Sequence, residues 1–242
     1  MSIMYIKYIC SIFLLAILNG CAVGPTFITQ VDGIAAPDTT NKTTYILFPG
    51  NKNTSPNDLR YIEFKNYVNK ALQAKGFKET NLDDADIAIF LTYGISEPNT
   101  EQYTYSVPTW GQTGVSSSTT YGTLNTFGNN ATYSGTTTYT PSYGITGSTT
   151  HLGTRTTYFR YLDIGAYDLD EYRKTEQLKQ VWKTTTTSTG SSGDLRQVLP
   201  ILVAASSQYL GTNTGKKLSI ELKENDESVK AIKGLQEPAT NQ

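Results

Sequence analysis

The chain has 242 residues, with 20 Lys and Arg against 21 Asp and Glu, a net charge of −1 and only 17% charged residues. That balance argues against nucleic acid, which selects basic surfaces. The length is enough for a hydrophobic core, as one domain with insertions or two small ones.

In chain order, the first element is a targeting segment. Lys7 precedes an apolar run, Tyr8–Leu18, that is too short to span a bilayer, for which about 20 residues are needed. It ends in Leu18-Asn19-Gly20-Cys21. A basic end, a short apolar run and a small residue at the cut are the grammar of a cleaved signal. The cysteine at the cut predicts a lipoprotein signal over residues 1–20, with Cys21 as the lipid acceptor and the membrane reached through that anchor. Two or more acyl chains hold a protein stably at a membrane, where one does not. Ala22 follows Cys21, which fits export to the outer membrane, facing the periplasm. Only Cys10 and Cys21 occur in the chain. Lipidation of Cys21 and removal of the signal therefore leave no free thiol and no disulfide.

Residues 21–41 contain Gly24, Pro25, Gly33 and Pro37 and are expected to form a spacer between lipid and domain. A single α/β domain is expected over 42–223. Thr43–Phe48 reads as a strand stopped by Pro49-Gly50. A helix follows, with Ser55 as N-cap, Pro56 in the first turn, Asp58 at the positive dipole end, and an apolar stripe of Tyr61, Phe64, Val68, Ala71 and Leu72. Gly76 fits its left-handed exit, with Phe77 as the accompanying hydrophobic contact. Asp86–Ile95 is nearly continuous in apolar residues, as in a central strand. Thr154–Leu169 and Glu176–Thr187 read as an antiparallel hairpin around a charged turn, with Trp182 packing on a second helix, Asp194–Leu210. That helix is interrupted by Pro200. Lys217–Leu222 alternates like an edge strand. Residues 224–242 form a polar tail with a short helix near Ser228–Lys233.

Between Glu101 and Arg155 there is no Asp, Glu, Lys or Arg. Thr, Ser, Gly, Tyr and Asn fill the interval. Thr and Tyr favour strands, and Gly128-Asn129-Asn130 and Ser142-Tyr143-Gly144 supply turns. The insertion, residues 99–154, is expected to form one or two long hairpins projecting from the sheet and continuous with Thr154–Leu169. Pro108 and Pro141 punctuate the segment. A flat ribbon with Thr on one face and Tyr on the other has weak register and edges open to another chain. Its aromatic residues Tyr103, Tyr105, Trp110, Tyr121, Tyr133, Tyr139 and Tyr143 are the candidate partner contacts, for self-association or for an envelope protein. A disordered or locally paired loop is the second reading, and stacking of the same tyrosines on glycan the third.

No catalytic constellation stands out. His151 is the one histidine and no Gly-x-Ser-x-Gly elbow accompanies it. Asp83, Asp84 and Asp86 lack the spacing, glycine and terminal Glu of a calcium loop. Gly50-Asn51-Lys52-Asn53-Thr54 lacks the Gly-Lys-Ser/Thr of a phosphate loop. Asp168, Asp170 and Glu171 read as a solvated turn. No catalytic residue, metal site or cofactor is expected.

Five stretches carry a resemblance: Cys21–Pro25, Ala85–Gly94, Thr156–Arg160 leading to Val181–Lys183, Leu199–Ser206, and Gly211–Gly215. In them the chain resembles uncharacterised proteobacterial lipoproteins of the DUF4136 type. The resemblance implies two helices on one face of a mixed sheet and no known activity. The expected fold is thus α/β (α+β): a mixed, mostly antiparallel sheet, two helices packed on one face and a long Thr/Tyr/Gly-rich hairpin insertion. The expected function is a non-enzymatic binding or assembly role in the cell envelope. The alternatives are a peptidoglycan- or glycan-interacting protein or enzyme, and a purely structural lipoprotein.

Overall fold

A computed structural model describes residues 24–37 and 41–235. The signal and Cys21 lie outside the described residues. The chain divides into two compact units, one formed by residues up to Pro98 and from Thr157 on, the other by Asn99–Thr156.

The first unit is mixed α/β, as expected. Its strands are β1 (Thr26–Ala35), β2 (Thr44–Pro49), β3 (Lys78–Glu79), β4 (Ile87–Ile95), the final part of β6 (which runs Asn130–Asp168), β7 (Gln180–Gly190) and β8 (Leu218–Lys223). They lie in the order β3-β2-β4-β6-β7-β1-β8. Pairing of β2 with β3 and β4 is parallel, and the rest of the unit is antiparallel. The parallel pair follows from the intervening helix α1 (Leu59–Ala74), since parallel neighbours need a crossover.

One core joins the inward strand residues to three helices. Tyr61, Phe64, Val68 and Leu72 of α1 meet Ile87, Ile89 and Leu91 of β4 and Leu162 and Ile164 of β6. Helix α3 (Leu195–Ser206) adds Val198, Leu199 and Leu202. Trp182 joins this core with its ring 6.0 Å from that of Phe77. Each such side chain taken from water contributes on the order of 1.5–3 kcal/mol.

Two segments differ from expectation. The spacer over 21–41 contains β1, which is paired on both sides, with β7 and with β8. Its residues alternate, with Phe27, Thr29 and Val31 buried between exposed neighbours. The period-2 pattern is carried half by threonine and glycine, so hydrophobicity alone understates it. Gly33 is needed there: a methyl group on it would sit 2.7 Å from the Thr212 carbonyl oxygen. The segment 211–215 docks on it through Thr214 N–H to Gly33 O, 2.9 Å. The second difference is the tail over 224–242. Its helix α4 (Glu227–Lys233) buries Val229 and Ile232 in the common core, so three helices share that face rather than two.

Local corrections have local causes. Asp58, not Ser55, caps α1, accepting from Tyr61 N–H at 2.9 Å. Ser55 instead closes the preceding turn, its hydroxyl accepting from Asn57 N–H. At the other end Gly76 has φ +91°, Phe77 N–H bonds Leu72 O and Gly76 N–H bonds Gln73 O, the expected left-handed exit. The charged turn is a short helix, α2 (Leu169–Thr175), capped by Asp168.

Candidate interaction surface

The second unit is a two-stranded antiparallel ribbon, β5 (Asn99–Phe127) against the Asn130–Thr156 part of β6. It is one hairpin, not two. Gly128 has φ +58° and Asn129 does not share the positive sign, which matches the two-residue turn that takes glycine first. Ser142–Gly144 runs straight through β6. Thr and Tyr hold the extended backbone, and cross-strand hydroxyls help, such as Thr120 to Thr137 at 2.8 Å and Thr100 to Thr156 at 3.0 Å.

Side chains alternate between the two faces of a strand. On β6, Tyr133, Tyr139, Pro141, Tyr143 and Ile145 therefore share one face. Thr132, Ser134, Thr136, Thr138, Thr140 and Ser142 share the other. On β5, Tyr105 stacks on His151 with ring centroids 5.5 Å apart, and Tyr103 covers Gly153. Odd-numbered residues meet odd-numbered residues here, which puts Tyr103 and Tyr105 on the face of Tyr133, Tyr139 and Tyr143.

Nearer the turn the parity changes. Thr120 meets Thr137, Tyr133 lies over Gly122, and Gly111 lies under Thr146. The pairing thus slips by one residue between Thr109, which faces Gly147, and Gly111. Trp110 is the residue in between, the position of a bulge. Five of the seven candidate contacts therefore share a face. Tyr121 falls on the hydroxyl face, with Val115 and Phe127, and Trp110 marks the slip. All seven are exposed, from 47% for Tyr105 to 75% for Tyr121. Sequence reading named these aromatics and set tyrosine and threonine on opposite faces. That holds for five of the seven; it misses the one-residue slip, which inverts the assignment of Tyr121 beyond it.

Other candidates resolve into structural roles. Asp86 accepts from the N–H groups of Thr43 and Thr44, at 3.1 and 3.0 Å. Burial opposes its ionisation, but these bonds outweigh it and hold the carboxyl below its ordinary value. Asp83 and Asp84 turn the chain at Asn81. Asp168 is buried rather than solvated, and its shift is likewise downward: burial opposes it, while Glu171 N–H and the Lys42 ammonium at 2.9 Å prevail. Lys42 also holds Asp170 at 3.0 Å. Among the described residues no group of three His, Cys, Asp or Glu could hold a metal ion. A shallow cleft of about 600 Å³ is lined by Asn51, Asn53, Thr54, Asp58, Arg60 and Tyr93. Asn51 there is engaged with the Tyr93 backbone on both sides of its amide.

One buried group escaped sequence reading. Arg160 is 1% exposed. Its guanidinium donates to Tyr158 O at 3.1 Å and Ser188 Oγ at 3.4 Å, and among the described residues it meets no carboxylate and its Nε finds no partner. Burial lowers its pKa.

No family model matches the chain, and no curated protein does. Among solved structures, a PDZ domain protein from Parabacteroides distasonis is similar over 86% of this chain, at 11% identity and a TM-score of 0.40. The chain spans about two-fifths of that protein's length (41%), and a likeness of this degree carries no functional argument.

Proposed function

We propose that this protein is a lipid-anchored, non-enzymatic envelope lipoprotein whose uncharged ribbon is its protein-contact surface. The observation that carries the reading is the ribbon itself. Two strands with no charge from Gln102 to Thr154 leave nearly every side chain exposed. An isolated two-stranded hairpin is marginal in water. Proteins ordinarily blunt open edges with lysine, proline or a cover; this ribbon has no lysine and a single proline on each strand, Pro108 and Pro141. A ribbon of this kind supports a role in pairing with another chain.

Anchoring rests on Leu18-Asn19-Gly20-Cys21, and the outer membrane facing the periplasm on Ala22 after the cysteine. The resemblance to DUF4136-type lipoproteins agrees with the anchor. The alternative is glycan contact, supported by the five tyrosines that share one face.

Photo-crosslinking in intact cells tests the contact reading. A benzophenone amino acid at Tyr143 is expected to give discrete protein adducts, and the same probe at Leu59, exposed on α1, is expected to give none. Absence of adducts at Tyr143, Tyr139 and Tyr105 alike would overturn it. Labelling with an alkyne palmitate tests the anchor: Cys21→Ser is expected to abolish it, and equal labelling would end the claim.

A further inference from the structure

We propose that the partner of each ribbon is the ribbon of a second copy of this chain, with β5 of one copy pairing antiparallel against β6 of the next. This rests on the ribbon being a protein-contact surface and adds which protein it meets and in what register.

Three observations favour a second copy. Among the described residues, the 99–156 segment pairs only within itself. In an antiparallel pair each strand uses alternate backbone groups toward its neighbour and turns the others outward. Both long edges therefore present unpaired C=O and N–H groups, except at Pro108 on β5 and Pro141 on β6, which have no N–H to offer. The β5 edge is 29 residues long, about 95 Å at roughly 3.3 Å per residue. The two edges are complementary in pattern, because each is an antiparallel strand of similar composition running the opposite way. Covering both edges of one copy with the opposite edges of two others is a head-to-tail contact that repeats.

Charge agrees. A surface that meets its own copy brings like residues together, and from Gln102 to Thr154 there is no charge to repel. The two charges that bound the segment are of opposite sign. Thr100 pairs with Thr156 and Tyr103 covers Gly153, so Glu101 and Arg155 lie at one level on opposite strands. When copies stand level, β5 against β6, Glu101 of one falls beside the Arg155 position of the next. The pair pins the register of strands that threonine alone would leave free to slide. Opposite charges placed directly across from each other favour this pairing. The same arrangement keeps the tyrosines of successive copies on one side and the threonines on the other.

The test uses the full lipidated chain purified in detergent, in which Cys21 is acylated. Two single variants, Glu101→Cys and Arg155→Cys, are prepared and then mixed. A disulfide between copies is expected in the oxidised mixture and in neither variant alone, because each position faces the other kind. Circular dichroism matching wild type controls for folding. Dimers in one variant alone, or none in the mixture, overturn the proposal. Wild-type monomers by mass photometry at micromolar concentration overturn it as well. Adducts from Tyr143 to a different protein in cells would then leave the contact reading standing and only self-pairing refuted. No adduct of any kind would remove both.

Discussion

Tyr105 stacks on His151 across the ribbon, ring centroids 5.5 Å apart, while fifteen residues further along β5 the even-numbered Thr120 meets the odd-numbered Thr137. The stack belongs to one register and the hydroxyl pair to another. Aromatic pairs of this geometry contribute about 0.5–1.5 kcal/mol beyond their buried area. His151→Ala should therefore raise amide exchange around residues 101–107 by roughly two- to twelve-fold. Residues near Thr120 and the thermal unfolding of the α/β unit should not change. An equal rise along the whole ribbon would contradict the slip at Trp110.

Gly33→Ala tests whether β1 belongs to the sheet. The added methyl meets the Thr212 carbonyl oxygen at 2.7 Å and Thr214 Cγ2 at 3.3 Å. Overpacking of this kind costs about 1–3 kcal/mol. The urea midpoint followed by Trp182 fluorescence should fall, with the slope retained. An unchanged midpoint would restore the spacer reading.

Much of the fold was legible in the sequence. The stripe of α1, the apolar run of β4 and the alternation of β8 stand where their patterns put them. What was missed shares a cause. In β1 the inward positions include Thr29 and Gly33, and in α4 only Val229 and Ile232 are buried. Both patterns rest on few apolar residues. Their burial is decided by neighbours distant in sequence, β7 and β8 for one and α1 and α3 for the other. For the ribbon, the aromatics and their common face were legible, but the exception at Tyr121 was not, since nothing in the sequence marks a slipped pair.

Ile232→Ala follows from the packing of α4. Truncating a fully packed isoleucine costs about 2–5 kcal/mol. A matching loss in urea unfolding is expected, and a change within 0.5 kcal/mol, about what surface sites show, would return residues 224–242 to a free tail.

Arg160 offers the opposite sign. A buried charge without a counter-charge carries an uncompensated desolvation cost, and apolar replacements of similar volume are often neutral or stabilising by about 1–4 kcal/mol. Arg160→Met should keep or raise the melting temperature. A clear fall would show that its bonds to Tyr158 O and Ser188 Oγ outweigh that cost.

Acid should weaken the fold through Asp86 and Asp168. Both carboxyls are held below their ordinary value, Asp86 by the Thr44 and Thr43 N–H groups and Asp168 by Glu171 N–H and Lys42, in each case against burial. A depressed folded value means that the stabilisation is present above the unfolded value of about 3.9. It is lost as pH falls through the folded value. Asp86→Asn should cost about 1–3 kcal/mol at neutral pH and progressively less below pH 4. A constant difference between variant and wild type down to pH 2 would contradict this origin.

The most direct measurement of the central claim is residue-resolved amide exchange over 99–156 in the full chain as cells produce it. A ribbon covered on both edges by protein protects successive amides along each strand. A lone ribbon protects alternate amides only, because every second N–H points outward. Protection of successive amides along β5 and β6, save at Pro108 and Pro141, which have none, is the predicted result. An alternating pattern, with outward amides exchanging at the rate of an open chain, would contradict the account.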